Sequence, residues 1–330
     1  MKEKAPKKEI KLIVSDIDNT IADYFDVWGK GIAKAVTMLA KSRGISEDAI
    51  YEDIKTNTPG GDIFHPNIDY LIRNTTILQP KTEKEKARYD RDDAKIMHEV
   101  NKMRIAGDKA YSGVMATITK AKASGAKVVF YTDAAMSVAI GRLANMGIPV
   151  DMIDGLYARK DDAPRKAPIG VRSKVTKYRK ALEARISDNM YVGEGWKPNP
   201  DLLTTIMKKA GVENPKEVVM VGDNVKSDGG SGIGAGCEYA WAKYGASISQ
   251  EAQDTYAKLN TKKGYELGVK GHLKQMNDGN RPTVILEKSF ADLTKYYKFV
   301  PANDKVIDNS KEKANADVVN SVVAKLREGR

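Results

Sequence analysis

An apolar run of six residues, Ile10 to Ser15, stops abruptly at Asp16, and a second aspartate follows at Asp18. The run is short and rich in β-branched residues, which is typical of a strand buried inside a sheet. Runs of the same kind end at Thr132 and at Gly222. We therefore predict at least three buried strands, each followed by polar residues at its carboxyl end.

Amphipathic helices are predicted between these strands, because apolar residues there recur at the spacing of one helix face. Gly125 and Gly147 follow two of these segments as stop signals. Strands that alternate with helices form a parallel sheet with right-handed crossovers. The sequence thus predicts an α/β fold, with a Rossmann-like parallel sheet core and helices on both faces. Further strands are predicted over residues 150–157, 238–243 and 283–286.

The roughly one hundred residues between the first two buried strands are too many for a crossover, and their pattern is mostly helical. We predict that they form an inserted, mobile helical cap domain that closes over the site and shields it from solvent. The predicted core comprises residues 1–21 and 126–300, with the cap over residues 22–125. Two stretches of the core, about 158–193 and 247–279, are predicted insertions. Residues 301–330 are a polar tail, either a loosely docked helix or a disordered segment.

The formal net charge is +11, and most of the excess is local. Residues 159–185 hold ten basic and three acidic side chains. Such a cluster could contact a polyphosphate or a nucleic-acid end, or it could be a solvated helix face, which we favour. The basic residues are Arg159, Lys160, Arg165, Lys166, Arg172, Lys174, Lys177, Arg179, Lys180 and Arg185.

The composition excludes several classes of protein. Cys237 is the only cysteine, so an intramolecular disulfide and a cysteine-based zinc cluster are both excluded. The three histidines are scattered, which disfavours a nitrogen-ligated metal site. A spanning helix needs about 18 or more consecutive apolar residues, and the sequence has no such run. We therefore expect a cytoplasmic protein without membrane contact; the sequence predicts no oligomeric state.

Four polar signals occur in order along the chain, three of them at predicted strand ends. Asp16 and Asp18 could project into one cleft, where one carboxylate attacks phosphorus and the other handles protons. Alternatively, they form a polar turn. Thr132 could hold a phosphoryl oxygen or cap the next helix. Lys197 could neutralise a carboxylate and a phosphoryl group together, or it could be solvated. Asp223 and Asp228 would form a hard oxygen site suited to Mg²⁺.

Together, in this order, the four signals resemble the motifs of the haloacid dehalogenase-like superfamily, in its phosphatase branch with a helical cap. The resemblance covers about residues 10–22 and 112–300. It implies that Asp16 is the nucleophile and Asp18 the general acid/base. It also implies that Thr132, with Asp133 beside it, binds phosphate, and that Lys197 bridges the nucleophile and the phosphate.

The resemblance further implies a bound Mg²⁺, served by Asp16, the Asp18 backbone carbonyl, Asp223 and Asp228. The cap is expected to set substrate specificity. Three aromatic residues just beyond the catalytic loop could touch the substrate, or they could pack the hinge and the cap. These residues are Tyr24, Phe25 and Trp28.

The predicted function is that of a Mg²⁺-dependent phosphomonoester hydrolase that forms an aspartyl-phosphate on Asp16 and acts on a small phosphorylated metabolite. A dehalogenase needs neither the metal nor an acid two residues later, so Asp18 argues against that activity. A mutase stays open because it uses the same acids. Two further alternatives are a nucleotide or nucleic-acid-end phosphatase that uses residues 159–185, and a non-catalytic binding protein on the same fold.

Overall fold

The computed structural model describes residues 6–57, 72–73, 75–161, 169–193, 196–259 and 280–302. The strands in these residues are β1 (Lys8–Ile10), β2 (Leu12–Ser15), β3 (Lys127–Ala135), β4 (Gly155–Arg159), β5 (Met190–Gly193), β6 (Val218–Gly222), β7 (Glu238–Trp241), β8 (Val284–Ile285) and β9 (Tyr297–Phe299). Seven of them form one parallel sheet in the order β5-β4-β3-β2-β6-β7-β8, and β1 pairs with β9. The predicted parallel α/β core is therefore confirmed.

Strand β2 lies at the centre of the large sheet and fixes where the polar signals meet. Leu12 is level with Lys127 of β3 on one side and with Val218 of β6 on the other. All three strands run in the same direction, so their carboxyl ends emerge at one edge. Ligands in open α/β sheets bind at that edge, which is where Asp16 follows β2.

The helices of the described residues are α1 (Phe25–Arg43), α2 (Glu47–Asn57), α3 (Glu83–Gly107), α4 (Val114–Ala123), α5 (Met136–Met146), α6 (Arg172–Ile186), α7 (Pro200–Ala210), α8 (Gly230–Gly234), α9 (Gln250–Lys258) and α10 (Leu293–Tyr296). Because neighbouring side chains of a strand point to opposite faces, β2 serves two apolar clusters. Ile13 packs in the cluster that contains Ile140 of α5, and Leu12 packs in the one that contains Leu203 of α7. Helices thus cover both faces of the sheet. None of the described helices is long and apolar enough to cross a membrane.

A third apolar cluster joins α1, α2 and α3 with α9, although α9 follows β7 in the chain. The Tyr256 ring stacks on Trp28 of α1 with 5.9 Å between the centroids. Its hydroxyl donates to the Phe25 carbonyl over 2.6 Å. The first part of the predicted insertion 247–279 therefore packs with the helices of the predicted cap; residues 260–279 lie outside the described residues.

Helix α4 lies inside the predicted cap range of 22–125 but packs elsewhere. Its Val114 and Ile118 belong to the apolar cluster on the sheet, together with Phe130 of β3. The helices that cluster apart from the sheet in this range thus end with α3, and the boundary at residue 125 is placed too late. The misplacement has a physical reason, because an amphipathic pattern shows that a helix has a buried face but not which partner buries it.

The predicted insertion 158–193 extends the sheet. Strand β5 pairs with β4, and α6 between them packs beside α5. The basic side chains of α6 at Arg172, Lys174, Lys177, Lys180 and Arg185 are exposed. Arg165 and Lys166 lie outside the described residues, as do residues 303–330 of the predicted tail.

The contact between α1 and α9 gives a test of this packing. A Cβ added at Gly29 would lie 2.9 Å from the Ala252 Cβ, whereas a Cβ at Gly141 of α5 meets nothing within 4 Å. We expect Gly141→Ala to stabilise the protein by about 0.5–1 kcal/mol, as alanine does in helix interiors. Gly29→Ala should instead destabilise it by about 1 kcal/mol through overpacking. Urea unfolding measures both; equal stabilisation by the two variants would show that α9 does not pack on α1.

Candidate active site

The Lys197 ammonium group lies between two carboxylates at the carboxyl edge of the sheet. Its Nζ is 2.7 Å from Asp16 Oδ1 and 2.6 Å from Asp228 Oδ1, and it also donates to the Tyr131 carbonyl over 3.3 Å. Burial alone would lower the pKa of Lys197, but the two carboxylates raise it well above its ordinary value. The lysine therefore stays charged and partly neutralises the site.

Asp16, Asp223 and Asp228 form a buried group of carboxylates whose oxygen atoms lie within 4.8 Å of one another. Burial raises the pKa of Asp223 well above its ordinary value, and it raises the pKa of Asp228 to about 7 despite the nearby lysine. Three carboxyl groups face one ammonium group, so the pocket holds an excess of acidic groups whose ionised form needs further positive charge. Hard carboxylate oxygens with this excess fit a cation such as Mg²⁺.

The segment after β6 folds so that Asp228 returns to the strand end. The Asn224 side chain accepts from the backbone N–H groups of Lys226 and Ser227, both over 3.0 Å, and begins a π-helical turn, Val225–Gly229. The Asn224 N–H donates to Asp228 Oδ2 over 3.0 Å. A Cβ at Gly222 would lie 2.1 Å from Asp228 Cγ, so a larger residue there would displace the carboxylate.

The loop after Asp16 is held from several sides. Asn19 adopts a left-handed backbone conformation with φ 56°, and its side-chain oxygen accepts from the Tyr24 and Phe25 N–H groups at the start of α1. The Thr20 hydroxyl accepts from the Asp223 N–H over 3.0 Å. A Cβ at Gly245 would lie 1.5 Å from the Asn19 carbonyl oxygen. The loop therefore contacts the segment after β6, the start of α1 and the segment that leads to α9.

Thr132 ends the buried part of β3, and Asp133 follows it at the same edge of the sheet. The buried Thr132 hydroxyl accepts from the Ala134 N–H over 3.1 Å, and no side chain caps the start of α5. The alternative in which Thr132 caps that helix is therefore wrong. Asp133 Oδ1 accepts from the Lys197 N–H over 3.0 Å. Asp133 thus fixes the lysine backbone, a contact that the sequence did not indicate.

The Asp18 carboxylate lies outside the carboxylate triad and forms an ion pair with Arg142 of α5. Burial lowers the pKa of Arg142 to about 10, which leaves it charged at neutral pH. The sequence motifs did not point to this residue. A signal was present, because Arg142 is the one charged residue in the otherwise apolar or small-residue helix Met136–Met146.

The aromatic residues beyond the loop contact one another. Trp28 is only 3% exposed and stacks between Tyr24 and Tyr256. The sequence left open substrate contact and packing for these residues, and Trp28 packs. Phe25 meets the Tyr256 ring edge-on. Among the basic residues, the Arg159 guanidinium stacks on the exposed Trp196 ring at 3.7 Å, beside Lys197.

Comparison with known proteins identifies the family. A family model described as haloacid dehalogenase-like hydrolase matches residues 10–236. No curated protein matches the chain significantly in sequence. Among solved structures, the HAD-hydrolase YfnB from Bacillus subtilis, bound to magnesium, is similar with a TM-score of 0.42 and 12% identity over 85% of this chain and 96% of that chain. A protein described as a β-phosphoglucomutase from Thermotoga maritima gives 0.44 and 15% over 87% and 97%. A protein described as a phosphatase from Clostridium difficile gives 0.42 and 15% over 88% and 99%.

The family match covers more than two thirds of the sequence and contains both the central strand and all the carboxylates of the site. On this match, the chain belongs to the haloacid dehalogenase-like hydrolases.

Proposed function

We propose that the protein is a Mg²⁺-dependent phosphomonoester hydrolase in which Asp16 is the nucleophile. The observation that carries the proposal is the contact of Lys197 with Asp16 and Asp228 at 2.7 and 2.6 Å. An ammonium group in this position offsets the repulsion between an anionic carboxylate and an anionic phosphate. Phosphoryl transfer depends mainly on such positioning and charge neutralisation.

In the first step, an Asp16 oxygen attacks phosphorus while the bond from phosphorus to the leaving oxygen breaks. Asp18 gives its proton to that oxygen, and the aspartyl-phosphate forms. In the second step, Asp18 takes a proton from water, the water oxygen attacks phosphorus, and the Asp16–phosphorus bond breaks. Thr132 and Lys197 contact the phosphoryl oxygens, and Asp133 holds Lys197 by its backbone.

Asp16, the Asp18 backbone carbonyl, Asp223 and Asp228 would hold the Mg²⁺ ion. When bound, the ion supplies positive charge that stabilises the transferring phosphoryl group. Asp228 already uses both oxygens, one toward Lys197 and one toward the Asn224 N–H. Asp223 therefore offers the freer carboxylate of the pair.

The proposed substrate is a small phosphorylated metabolite, which suits a site with its buried carboxylates behind a helical cap. The nucleic-acid-end alternative is supported by the Arg159–Trp196 stack beside Lys197, because exposed aromatic and guanidinium groups stack on bases. A mutase and a non-catalytic binding protein stay open as alternatives. We also propose that α1 to α3 act as the cap and that the protein is cytoplasmic.

Asp16→Asn tests the nucleophile. An amide is a far poorer nucleophile, so we expect phosphatase turnover to fall by more than roughly 10⁴-fold. The fold should persist, because the change removes one of three mutually repelling buried carboxylates. Steady-state kinetics and thermal unfolding measure the two effects, with Asp201→Asn at an exposed position of α7 as the control. Turnover near the wild-type rate in Asp16→Asn would rule out the assignment.

Metal removal tests the carboxylate site. We expect chelation to abolish turnover and Mg²⁺ to restore it. Mg²⁺ at one hundred times its dissociation constant should also raise the free energy of unfolding by about 2.7 kcal/mol. Asp223→Asn should raise the Mg²⁺ concentration needed for half-maximal activity and for half-maximal stabilisation. We expect each rise to be at least tenfold, by analogy with the loss of other residues that support a bound metal. Full activity after exhaustive chelation would contradict the proposal. So would a free energy of unfolding of the wild type that does not change with Mg²⁺ concentration.

A triple variant separates the substrate alternatives. Lys177, Arg179 and Lys180 lie on α6, and two of them are exposed. Replacing all three with alanine should leave kcat on small esters unchanged, because these side chains lie apart from the buried carboxylates. A rise in KM that weakens with salt would indicate electrostatic steering. A much greater loss on phosphorylated oligonucleotides than on small esters would favour the nucleic-acid-end alternative. A large fall in kcat on small esters would contradict the expectation.

A further inference from the structure

Arg142 of α5 is only 6% exposed and contacts the loop that follows β2. Burying a guanidinium group costs free energy unless its donors are used. Here the guanidinium forms an ion pair with the Asp18 carboxylate, the proposed acid/base group. Neither apolar packing nor the carboxylate triad explains why a charge is kept at this position.

The other contacts of Arg142 lead to the chain segments that connect the helices α1 to α3 with the core. Its Nη2 donates to the Asp23 carbonyl over 3.2 Å, just before α1 begins. Its Nε lies 3.4 Å from Asp108 Oδ1, just after α3 ends. The Asn145 amide, one turn further along α5, donates to the other Asp108 oxygen over 2.9 Å. One guanidinium group therefore joins Asp18 to both connections.

We propose that Arg142 is the positioning residue of Asp18, which directs this carboxylate toward the leaving oxygen and fixes it to both connections. The inference rests on the proposed phosphatase function, because Asp18 acts as acid and base only if a phosphoryl group is transferred. Arg142 does not touch the phosphoryl group in this account. It acts through the direction of the Asp18 carboxylate.

This role predicts a dependence on the leaving group. While the bond between phosphorus and oxygen breaks, an alkoxide must take the Asp18 proton, whereas a nitrophenolate is stable enough to leave without it. A misdirected Asp18 therefore slows formation of the aspartyl-phosphate from an alkyl phosphate much more than from p-nitrophenyl phosphate, whereas the later attack of water is the same for both esters. A merely structural role of Arg142 would slow both to the same extent.

The experiment compares kcat/KM, which reports on formation of the aspartyl-phosphate and departure of the leaving group, on glycerol phosphate and on p-nitrophenyl phosphate for the wild type and for Arg142→Gln. We expect a loss of roughly 100-fold on the alkyl ester and less than about tenfold on the aryl ester, in line with the contribution of general acid catalysis. In an Asp18→Asn background, Arg142→Gln should cause no further loss on the alkyl ester, since the two side chains act as one unit. Should Arg142→Gln fail to fold, Arg142→Lys keeps the charge, loses the planar fork, and should show the same selectivity.

Arg43→Gln is the matched control, because Arg43 is also buried, pairs with Asp93 at 2.6 Å and stacks on Tyr89 at 3.6 Å. It should cost stability without changing the ratio of the two rates. Equal losses on both esters, or losses that add in the double variant, would overturn the role of Arg142 and leave the proposed function standing. A wild-type protein that hydrolyses no phosphomonoester would overturn both.

Discussion

The ion-pair contact of Lys197 with Asp16 and Asp228 is the interaction on which the site depends. It brings together groups from three distant parts of the sequence, and it does so in a place where water cannot screen their charges. Without the ammonium group, three buried carboxylates would repel one another at the end of the central strands. The parallel pairing of β2 with β6 brings Asp16 and Asp228 to one edge, and Asp133 of β3 holds the Lys197 backbone beside them.

Backbone fit is the second constraint, and glycine meets it at two positions. At Gly222 the space of a side chain is taken by the Asp228 carboxylate, and at Gly245 it is taken by the Asn19 carbonyl. Each contact holds a loop against the carboxylate pocket: the loop after β6 at Gly222 and the loop after β2 at Gly245. The geometry of the acids is therefore set by close approach of the main chain as well as by hydrogen bonds, which is how a rigid electrostatic site is prepared in advance.

The sequence predicted the sheet because β2, β3 and β6 are strongly apolar, and it predicted the motif residues because strand ends in a parallel sheet share an edge. The structure brings Asp16, Lys197, Asp223 and Asp228 together and sets Asp18 apart. The sequence could not assign α4 to the sheet or α9 to α1, because helical periodicity does not name the partner of a buried face. Arg142 was not predicted for a related reason. Its role is visible only from its contacts with Asp18, Asp23 and Asp108, which lie far away in the chain.

The docking of α9 on α1 changes the mechanics expected of the proposed cap. A lobe that is joined to its core by two adjacent connections can rotate as a rigid body about one hinge. Here a third segment, residues 245–249, connects the same lobe to the core. Gly245 lies against the loop after β2, and the Ser249 N–H donates to Asp26 of α1 over 2.8 Å. The attachments seen in the described residues resist rotation of these helices as one rigid body, so we expect access to the carboxylates to require deformation among the helices or sliding of α1 along α9.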